Sequence, residues 1–341
     1  MLELRNIKKY FNKGSASETI AIDNLSLQIN QGDFVTVIGG NGAGKSTLLN
    51  IISGSVESDS GLVLLNNNDI SFMSEHKRAP YFGRVFQDPM SGTAADMSII
   101  ENLTIAYGRG RHRSLFKWFI QPKEKEYLTE QVKSLDLGLE NRLNDKVGLL
   151  SGGQRQALTL LMATIRQKPT AQTIKRDYVR FFDGDKKLAK EEVTKAFKEA
   201  GDELNREKKE ISANKELSKE QKKQLLAQAR AKYEEKTAVY DVTKQILLLD
   251  EHTAALDPKT ASKVLDITER IVQENSLTTI MITHNMKDAI RYGNRLIMMS
   301  HGKVVVDVSG EEKQKLTVED LLNMFQVASK DDYLSDSTIL G

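Results

Sequence analysis

Residues 39–47 read GGNGAGKST, a spacing of glycine, lysine and serine that suits phosphate binding. The pattern follows the short apolar run DFVTVIGG and precedes a run with helical periodicity, so it lies between a buried strand and a helix. Backbone N–H groups of such a loop, together with the positive end of the helix, attract phosphate oxygens. We therefore expect Lys45 to reach the β- and γ-phosphates of a nucleotide and the Ser46 hydroxyl to bind Mg²⁺. The residues predicted to form this phosphate-binding loop are Gly39, Gly40, Asn41, Gly42, Ala43, Gly44, Lys45, Ser46 and Thr47.

A pair of carboxylates ends the apolar run QILLLDE, residues 245–251. Four apolar residues followed by two acids place both carboxylates at the C-terminal end of a buried strand, where ligands bind in open α/β sheets. We expect Asp250 to hold Mg²⁺ through its water shell. Glu251 is then placed to polarise an attacking water as a general base.

Two further polar residues follow predicted strands. His284 ends TTIMITH, and Gln87 lies in VFQDP. A single histidine at a strand end is more often structural than catalytic, and a glutamine before a turn carries little signal alone. Next to a nucleotide site, His284 is expected to bond the γ-phosphate and orient water. Gln87 is expected to sense Mg²⁺ and the γ-phosphate there.

The stretch LSGGQ, residues 150–154, opens an amphipathic run. Ser151 and Gln154 have the spacing of a capping box, which predicts a helix start. A helix start does not require Gly152 and Gly153, which cost backbone entropy. Their presence indicates that something approaches the backbone closely at this point.

The order of elements predicts an α/β fold. Residues 2–11 and 20–29 alternate apolar and polar positions and are predicted to be antiparallel strands. Further along, strands and helices alternate, which favours a mostly parallel sheet. The segment 170–245 is dense in Lys, Glu and Asp and is predicted to be an inserted α-helical hairpin, either a solvated surface or a docking surface for another protein. We predict one domain over 1–329 and a loose tail over 330–341.

The composition of the chain restricts its cellular compartment and the kinds of partner that it can bind. The formal net charge is +2 with both signs interspersed, and the chain has no cysteine, so disulfides and thiolate metal sites are excluded. Neither a signal peptide nor a run of about 18 apolar residues is present, so a cytoplasmic chain is expected, with membrane association only through a partner. The stretch 108–120 mixes basic and aromatic residues. We favour a purely structural role for it, or contact with a membrane partner or membrane surface, over binding of nucleic acid.

Taken together, these motifs resemble the ATP-binding subunits of ABC transporters. The motifs occur in the order GGNGAGKST, VFQDP, LSGGQ, ILLLDE, AALD and ITH, and their order, context and flanking strands agree with that family over about 265 of the 341 residues. The resemblance implies a P-loop NTPase of the ABC type, with an antiparallel β subdomain, an α-helical subdomain and the inserted hairpin. It also implies an ATPase that uses ATP and Mg²⁺.

The same resemblance implies a head-to-tail dimer, either a homodimer or a heterodimer with a similar ATPase. In such a dimer, Ser151, Gly152, Gly153 and Gln154 face the ATP held by the partner's phosphate-binding loop. Asp257 matches the loop that crosses the dimer interface. Phe11 matches the aromatic residue that stacks on adenine, with Tyr10 as the alternative.

The implied assembly lies on the cytoplasmic face of the cell membrane and couples ATP-driven closure to a separate integral membrane permease. The motif details resemble Gram-positive amino-acid-type uptake systems, which add an extracellular solute-binding lipoprotein. An exporter, or a soluble ABC ATPase acting on ribosome or DNA, is the alternative, although no nucleic-acid partner is expected. His252 stands where the family usually has proline, and the insertion departs from the family pattern.

Overall fold

The computed structural model describes residues 1–109, 120–165, 171–181, 185–214, 217–238 and 246–337. The chain divides into two compact units, one formed by Met1–Gln167 with Gln245–Gly341 and the other by Lys168–Lys244. The strands are β1 Leu2–Phe11, β2 Thr19–Ile29, β3 Phe34–Gly39, β4 Ser60–Leu65, β5 Asn68–Asp69, β6 Phe82–Val85, β7 Ile246–Asp250, β8 Thr278–Ile282, β9 Arg295–Ser300 and β10 Lys303–Ser309. The α-helices are α1 Lys45–Ser53, α2 Glu75–Arg78, α3 Ile99–Tyr107, α4 Pro122–Lys133, α5 Gly152–Thr164, α6 Ala171–Phe181, α7 Lys186–Ala213, α8 Lys219–Ala238, α9 Pro258–Glu274, α10 Met286–Arg291, α11 Gly310–Lys315 and α12 Val318–Ser337.

The first unit is built on a six-stranded sheet in the order β10-β9-β3-β8-β7-β6. All neighbours from β9 to β6 are parallel, and β10 adds an antiparallel edge. The apolar runs of β3, β7 and β8 are buried almost throughout, as expected for strands covered on both faces. Because these three strands are parallel neighbours, their C-terminal ends meet at one edge of the sheet. The predicted α/β class with a mostly parallel sheet is confirmed.

A second sheet has the order β2-β1-β4-β5 and is antiparallel. Alternation buries Leu2 and Leu4 of β1. The pairing register then shifts between Leu4 and Ile7, where Asn6 has a φ of 52°, and burial resumes at Ile7. This is the antiparallel β subdomain that the sequence predicts.

Helices α3, α4 and α5 follow β6 along the chain and form one helical region of the first unit. Leu103, Leu128 and Leu158 are fully buried in one apolar cluster that also includes residues of α9 and the sheet. Since α5 is apolar on most of its circumference, it is the central helix of this region. The segment 110–119 lies outside the described residues.

Within the described residues, the second unit contains three helices: the predicted hairpin is present as α7 and α8, and one further helix precedes it. Helices α7 and α8 both lie within the segment 170–245, and Phe197 of α7 meets Tyr233 of α8 edge-on, with ring centroids 6.3 Å apart. Helix α6 is the addition, and Lys175 on this helix lies 5.0 Å from the centre of the Phe197 ring. The amphipathic spacing of α6 lies within a run so rich in charge that its few apolar residues give a weak signal.

The C-terminal segment is also more ordered than expected. Helix α12 continues to Ser337, so most of the tail predicted to be loose over 330–341 is helical. Thr317 and Asp320 form a reciprocal cap at its start, with N···O distances of 2.8 and 3.2 Å, and no glycine or proline interrupts the run. Among the described residues, we find no helix with the length and apolarity needed to cross a bilayer.

Candidate active site

The phosphate-binding loop joins β3 to α1, as the sequence predicts. Gly44 immediately precedes α1 and has a φ of 93° in the left-handed region. A Cβ atom on Gly44 would lie 2.3 Å from the backbone oxygen of Ala21 in β2. Both the backbone conformation and the close packing therefore require glycine here, and the helix N-terminus is directed into the loop it closes.

Lys45 is the first residue of α1 and only 6% exposed. Its Nζ atom donates hydrogen bonds to the backbone oxygens of Gly39 and Gly40, both at 2.9 Å. Burial lowers the pKa of Lys45, while Glu251 and Asp250 act in the opposite direction. The ammonium group is thus held over the loop, where phosphate oxygens can replace the two backbone oxygens.

Ser46 and Asp250 converge at the start of α1 and the end of β7. The Ser46 Oγ atom donates to Asp250 Oδ1 at 3.3 Å. No group of three or more His, Cys, Asp or Glu residues suited to a metal ion occurs in the described part of the chain. A site with one carboxylate and one hydroxyl fits Mg²⁺ that is held mainly by substrate phosphates and water, which is how Mg²⁺ is usually bound.

Glu251 and His284 meet at the ends of neighbouring strands β7 and β8. His284 Nε2 lies 2.5 Å from Glu251 Oε1, and the Glu251 side chain is 13% exposed. Glu251 has a φ of 47°, an uncommon conformation for a residue with a side chain, and its N–H donates to the Ile282 oxygen at 3.1 Å. The strand pairing thus brings together two residues that are 33 positions apart in the sequence.

A cavity of about 410 Å³ opens beside this pair. Its lining combines the turn after β7, the start of α9 and the turn after β8. The lining residues are Glu251, Thr253, Ala254, Leu256, Pro258, Ala261, Ser262, Leu265, Thr283, His284, Asn285 and Asp288. The catalytic carboxylate predicted from the sequence therefore faces open space.

The capping box at the start of α5 is present. The Ser151 Oγ atom accepts the Gln154 N–H at 3.3 Å, and Gln154 Oε1 accepts the Ser151 N–H at 3.2 Å. The structure also identifies atoms that approach the two glycines within this chain. A Cβ on Gly152 would lie 3.2 Å from Leu256 Cδ2, and one on Gly153 would lie 2.2 Å from Thr260 Cγ2. Close packing of α5 on α9 thus accounts for glycine at 153 without any ligand.

Asp257 immediately precedes α9 and caps it. Its Oδ1 atom accepts the Thr260 N–H at 3.1 Å, and hydrogen bonds from Thr260 lower the pKa of the Asp257 carboxyl. The turn that contains Leu256 and Asp257 therefore connects the Glu251 strand to the helix that packs against Gly153.

Three further predicted site residues lie at the end of β1 and after β6. Gln87 is exposed and follows β6, the edge neighbour of β7. Phe11 is 40% exposed at the end of β1, and Tyr10 is partly buried beside it. Lys9 lies over the Phe11 ring and Lys13 over the Tyr10 ring, at 5.6 and 5.2 Å, so both rings have a cation on one face. The choice between the two aromatic residues stays open.

The sequence analysis missed two neighbours of the site, Arg84 and Thr260, and noted His252 only as a departure from the family pattern. Arg84 on β6 contacts Asp250, Thr260 contacts Gly153, and His252 is 2% exposed with its Nε2 3.2 Å from Thr268 Oγ1. Arg84 carried a usable signal, since a charged residue interrupts the apolar strand FGRV. The other two depend on how α9 packs, which no local pattern reports.

Comparison with known proteins gives a consistent result. The family model described as ABC transporter matches residues 22–171. A tyrosine transport ATP-binding protein of Clostridioides difficile is 34% identical over 328 residues, which is 96% of this chain and all of that protein. A phosphonates import ATP-binding protein of Lactococcus lactis is 25% identical over 94% of this chain and 98% of its own length.

Among solved structures, a dimeric ATP-binding cassette in a post-hydrolysis state with ADP and Pi is 22% identical. It has a TM-score of 0.57 and covers 91% of this chain and 98% of its own. That similarity concerns the fold, whereas the similarity to the tyrosine transport protein extends along nearly the whole sequence. The phosphate-binding loop, the paired acids at the end of β7 and these relatives together show that the chain belongs to the ATP-binding proteins of ABC transporters and is an ATPase.

Proposed function

We propose that this chain powers an importer that moves a small polar solute, such as an amino acid, through a separate integral membrane permease. The convergence of Lys45, Asp250 and Glu251 at one edge of the sheet is the observation that carries the proposal. The names of relatives support this proposal. One relative is a tyrosine transport protein, which supports an amino-acid solute, and others are named for import of phosphonates, spermidine and putrescine, or methionine, which supports the direction.

Binding of ATP uses the loop 39–47 and the residues around it. Lys45 exchanges its two backbone oxygens for β- and γ-phosphate oxygens, and the loop N–H groups surround the same phosphates. Ser46, Asp250 and Gln87 would hold Mg²⁺ with its water shell. When bound, the ion neutralises charge on the phosphates and so assists cleavage of the terminal bond.

Hydrolysis depends on the pair at the ends of β7 and β8. Glu251 accepts a proton from the attacking water, and His284 holds the carboxylate and the water in line with the γ-phosphate. Both side chains line the open cavity, so a water molecule has access to them. Removal of the Glu251 charge should therefore leave ATP binding in place and slow the chemical step.

The active chain is a head-to-tail dimer, with itself or with a similar ATPase. Ser151, Gly152, Gly153 and Gln154 of one copy face the ATP held by the other, and the positive end of α5 stabilises its γ-phosphate. Asp257 lies at the dimer interface, and Phe11 or Tyr10 stacks on adenine. The dimeric cassette among the similar structures supports this arrangement.

The assembly is peripheral to the cytoplasmic face of the membrane, and an extracellular solute-binding lipoprotein delivers the solute to the permease. Nucleic acid is not a partner in this proposal. ATP-driven closure of the dimer moves the permease, and hydrolysis reopens it. The insertion 170–245 lies outside the predicted motifs and is not required for this cycle.

Isolation of the trapped complex tests the proposal. Glu251→Gln protein is expressed in cells of its own source, held with ATP and Mg²⁺, and analysed by mass spectrometry for co-purifying proteins. The control is the Lys45→Ala, Glu251→Gln double variant, which should not retain ATP. A permease and a lipoprotein that are enriched over the control would support an importer. A permease alone would favour an exporter, and ribosomal or DNA-bound proteins without a permease would contradict the proposal.

A further inference from the structure

Arg84 brings a permanent positive charge to the carboxylate that is expected to hold Mg²⁺. It lies on β6, which pairs with β7 so that Arg84 is opposite Leu248. Its Nη2 atom lies 3.6 Å from Asp250 Oδ2, while the other Asp250 oxygen accepts the Ser46 hydroxyl. One oxygen of the Asp250 carboxylate thus lies beside the Arg84 guanidinium group, and the other accepts a hydrogen bond from Ser46 of the phosphate-binding loop.

Both members of the Arg84–Asp250 pair are largely removed from water. Their side chains are 15% and 16% exposed. Electrostatic interactions are stronger in such surroundings than on an open surface. Within the described ranges of the chain, Arg84 Nε is buried and has no hydrogen-bond partner. One N–H donor of the Arg84 guanidinium group is therefore left without an acceptor in that part of the chain.

The guanidinium group is fixed on two other sides. Its Nη2 atom donates to Asn50 Oδ1 at 2.6 Å, and Nη1 donates to the hydroxyls of Ser53 and Ser55 at 3.2 Å. Its Cζ atom lies 4.7 Å from the centre of the Phe86 ring. These contacts hold Arg84 to the end of α1 and to the residue before Gln87, so it stays beside Asp250 when another cation arrives.

We propose that Arg84 is a positioning residue that neutralises Asp250 in the metal-free site and competes with Mg²⁺ for that carboxylate. The inference rests on the proposed function, since it takes Asp250 as a metal-site residue. A fixed like charge disfavours binding of a second cation at the same oxygen atoms. Arg84 thus weakens the binding of metal to the nucleotide complex and keeps Asp250 directed towards Ser46 before the nucleotide arrives.

The test measures coupling between metal and nucleotide rather than turnover. The affinity for a fluorescent ADP analogue, mant-ADP, is titrated with Mg²⁺ and with EDTA, and the ratio of the two dissociation constants reports metal binding. In Arg84→Met the metal should strengthen nucleotide binding roughly 3- to 30-fold more than in the wild type. Using the ratio removes any direct effect of Arg84 on the nucleotide.

Two variants serve as controls. Arg84→Lys retains the charge and should keep the ratio within about twofold of the wild type. Arg176→Met removes an exposed arginine of the second unit, paired with Asp177 at 2.8 Å, and should leave the ratio unchanged. If Arg84→Met does not fold, as judged by circular dichroism, Arg84→Gln replaces it with the same expected direction.

The outcomes separate the inference from the function on which it rests. A larger ratio in the uncharged variants, with Arg84→Lys near the wild type, supports competition. An unchanged or smaller ratio overturns the inference and leaves the proposed function intact. If the wild type binds mant-ADP with no dependence on Mg²⁺, both the inference and the proposed metal site fail.

Discussion

Glycine at position 153 is explained by Thr260, and a pair of substitutions can test that explanation. In Gly153→Ala the new Cβ would lie 2.2 Å from Thr260 Cγ2, well inside an ordinary contact of about 3.4 to 4 Å. Relief of such an overlap costs about 1 to 3 kcal/mol. Alanine is favoured over glycine in a helix by about 1 kcal/mol, so the net loss is about 0 to 2 kcal/mol.

Thr260→Ser removes the methyl group that causes the overlap. In that background Gly153→Ala should become neutral or stabilising, with a coupling free energy of about 1 to 3 kcal/mol between the two sites. Thr260→Val retains a methyl group at this position and should not rescue Gly153→Ala. A double-mutant cycle on the nucleotide-free protein, followed by thermal unfolding, measures the coupling.

The expected change in melting temperature is about 1 to 2 °C for each kcal/mol, because the unfolding entropy grows with chain length. If Gly153→Ala lowers the melting temperature equally in the wild-type, Thr260→Ser and Thr260→Val backgrounds, the packing explanation is refuted. Glycine at 153 would then be required by something other than α9.

Three further predictions concern the loop, the buried histidine and the insertion. Lys45→Ala should abolish retention of ATP in equilibrium dialysis, because the ammonium group that faces the phosphates is lost; wild-type retention would refute the assignment of the loop. Burial lowers the pKa of His252 to about 4, so in the metal-free protein only the unfolded chain gains this proton as the pH falls below about 6.5. In urea titrations, the free energy of unfolding should fall by about 2 kcal/mol between pH 7.5 and 5 because of this proton, and His252→Gln should lack this part of the loss. The same dependence of unfolding free energy on pH in the wild type and in His252→Gln would contradict this prediction. Replacement of 170–245 by a short linker should keep most ATPase activity in a phosphate-release assay, since the insertion forms its own compact unit; a variant that fails to fold would show that the insertion is part of the core.

Much of the fold could be predicted from local sequence because its signals are local. The continuous apolar runs of β3, β7 and β8 indicate buried parallel strands, and Ser151 with Gln154 marks the start of α5. The cap formed by Ser218 and Gln221 before α8 follows the same rule, with N···O distances of 2.9 and 3.2 Å. Each of these features depends on residues within one element.

Features that depend on packing between distant elements could not be predicted in this way. Arg84 and Asp250 are 166 positions apart and meet only because β6 pairs with β7. Thr260 reaches Gly153 because α9 lies against α5. The sequence marked Gly153 as a point of close approach, but it could not indicate that a residue of the same chain provides the contact.

The central claim is that ATP closes a dimer whose two sites each need both copies. Light scattering of purified Glu251→Gln protein with ATP and Mg²⁺ tests it most directly, since this substitution should retain ATP and block its hydrolysis. We predict the mass of a dimer, twice 38.3 kDa, with ATP, and the mass of one chain, 38.3 kDa, with ADP or without nucleotide. A monomer at saturating ATP, with ATP shown to be bound, would contradict the account.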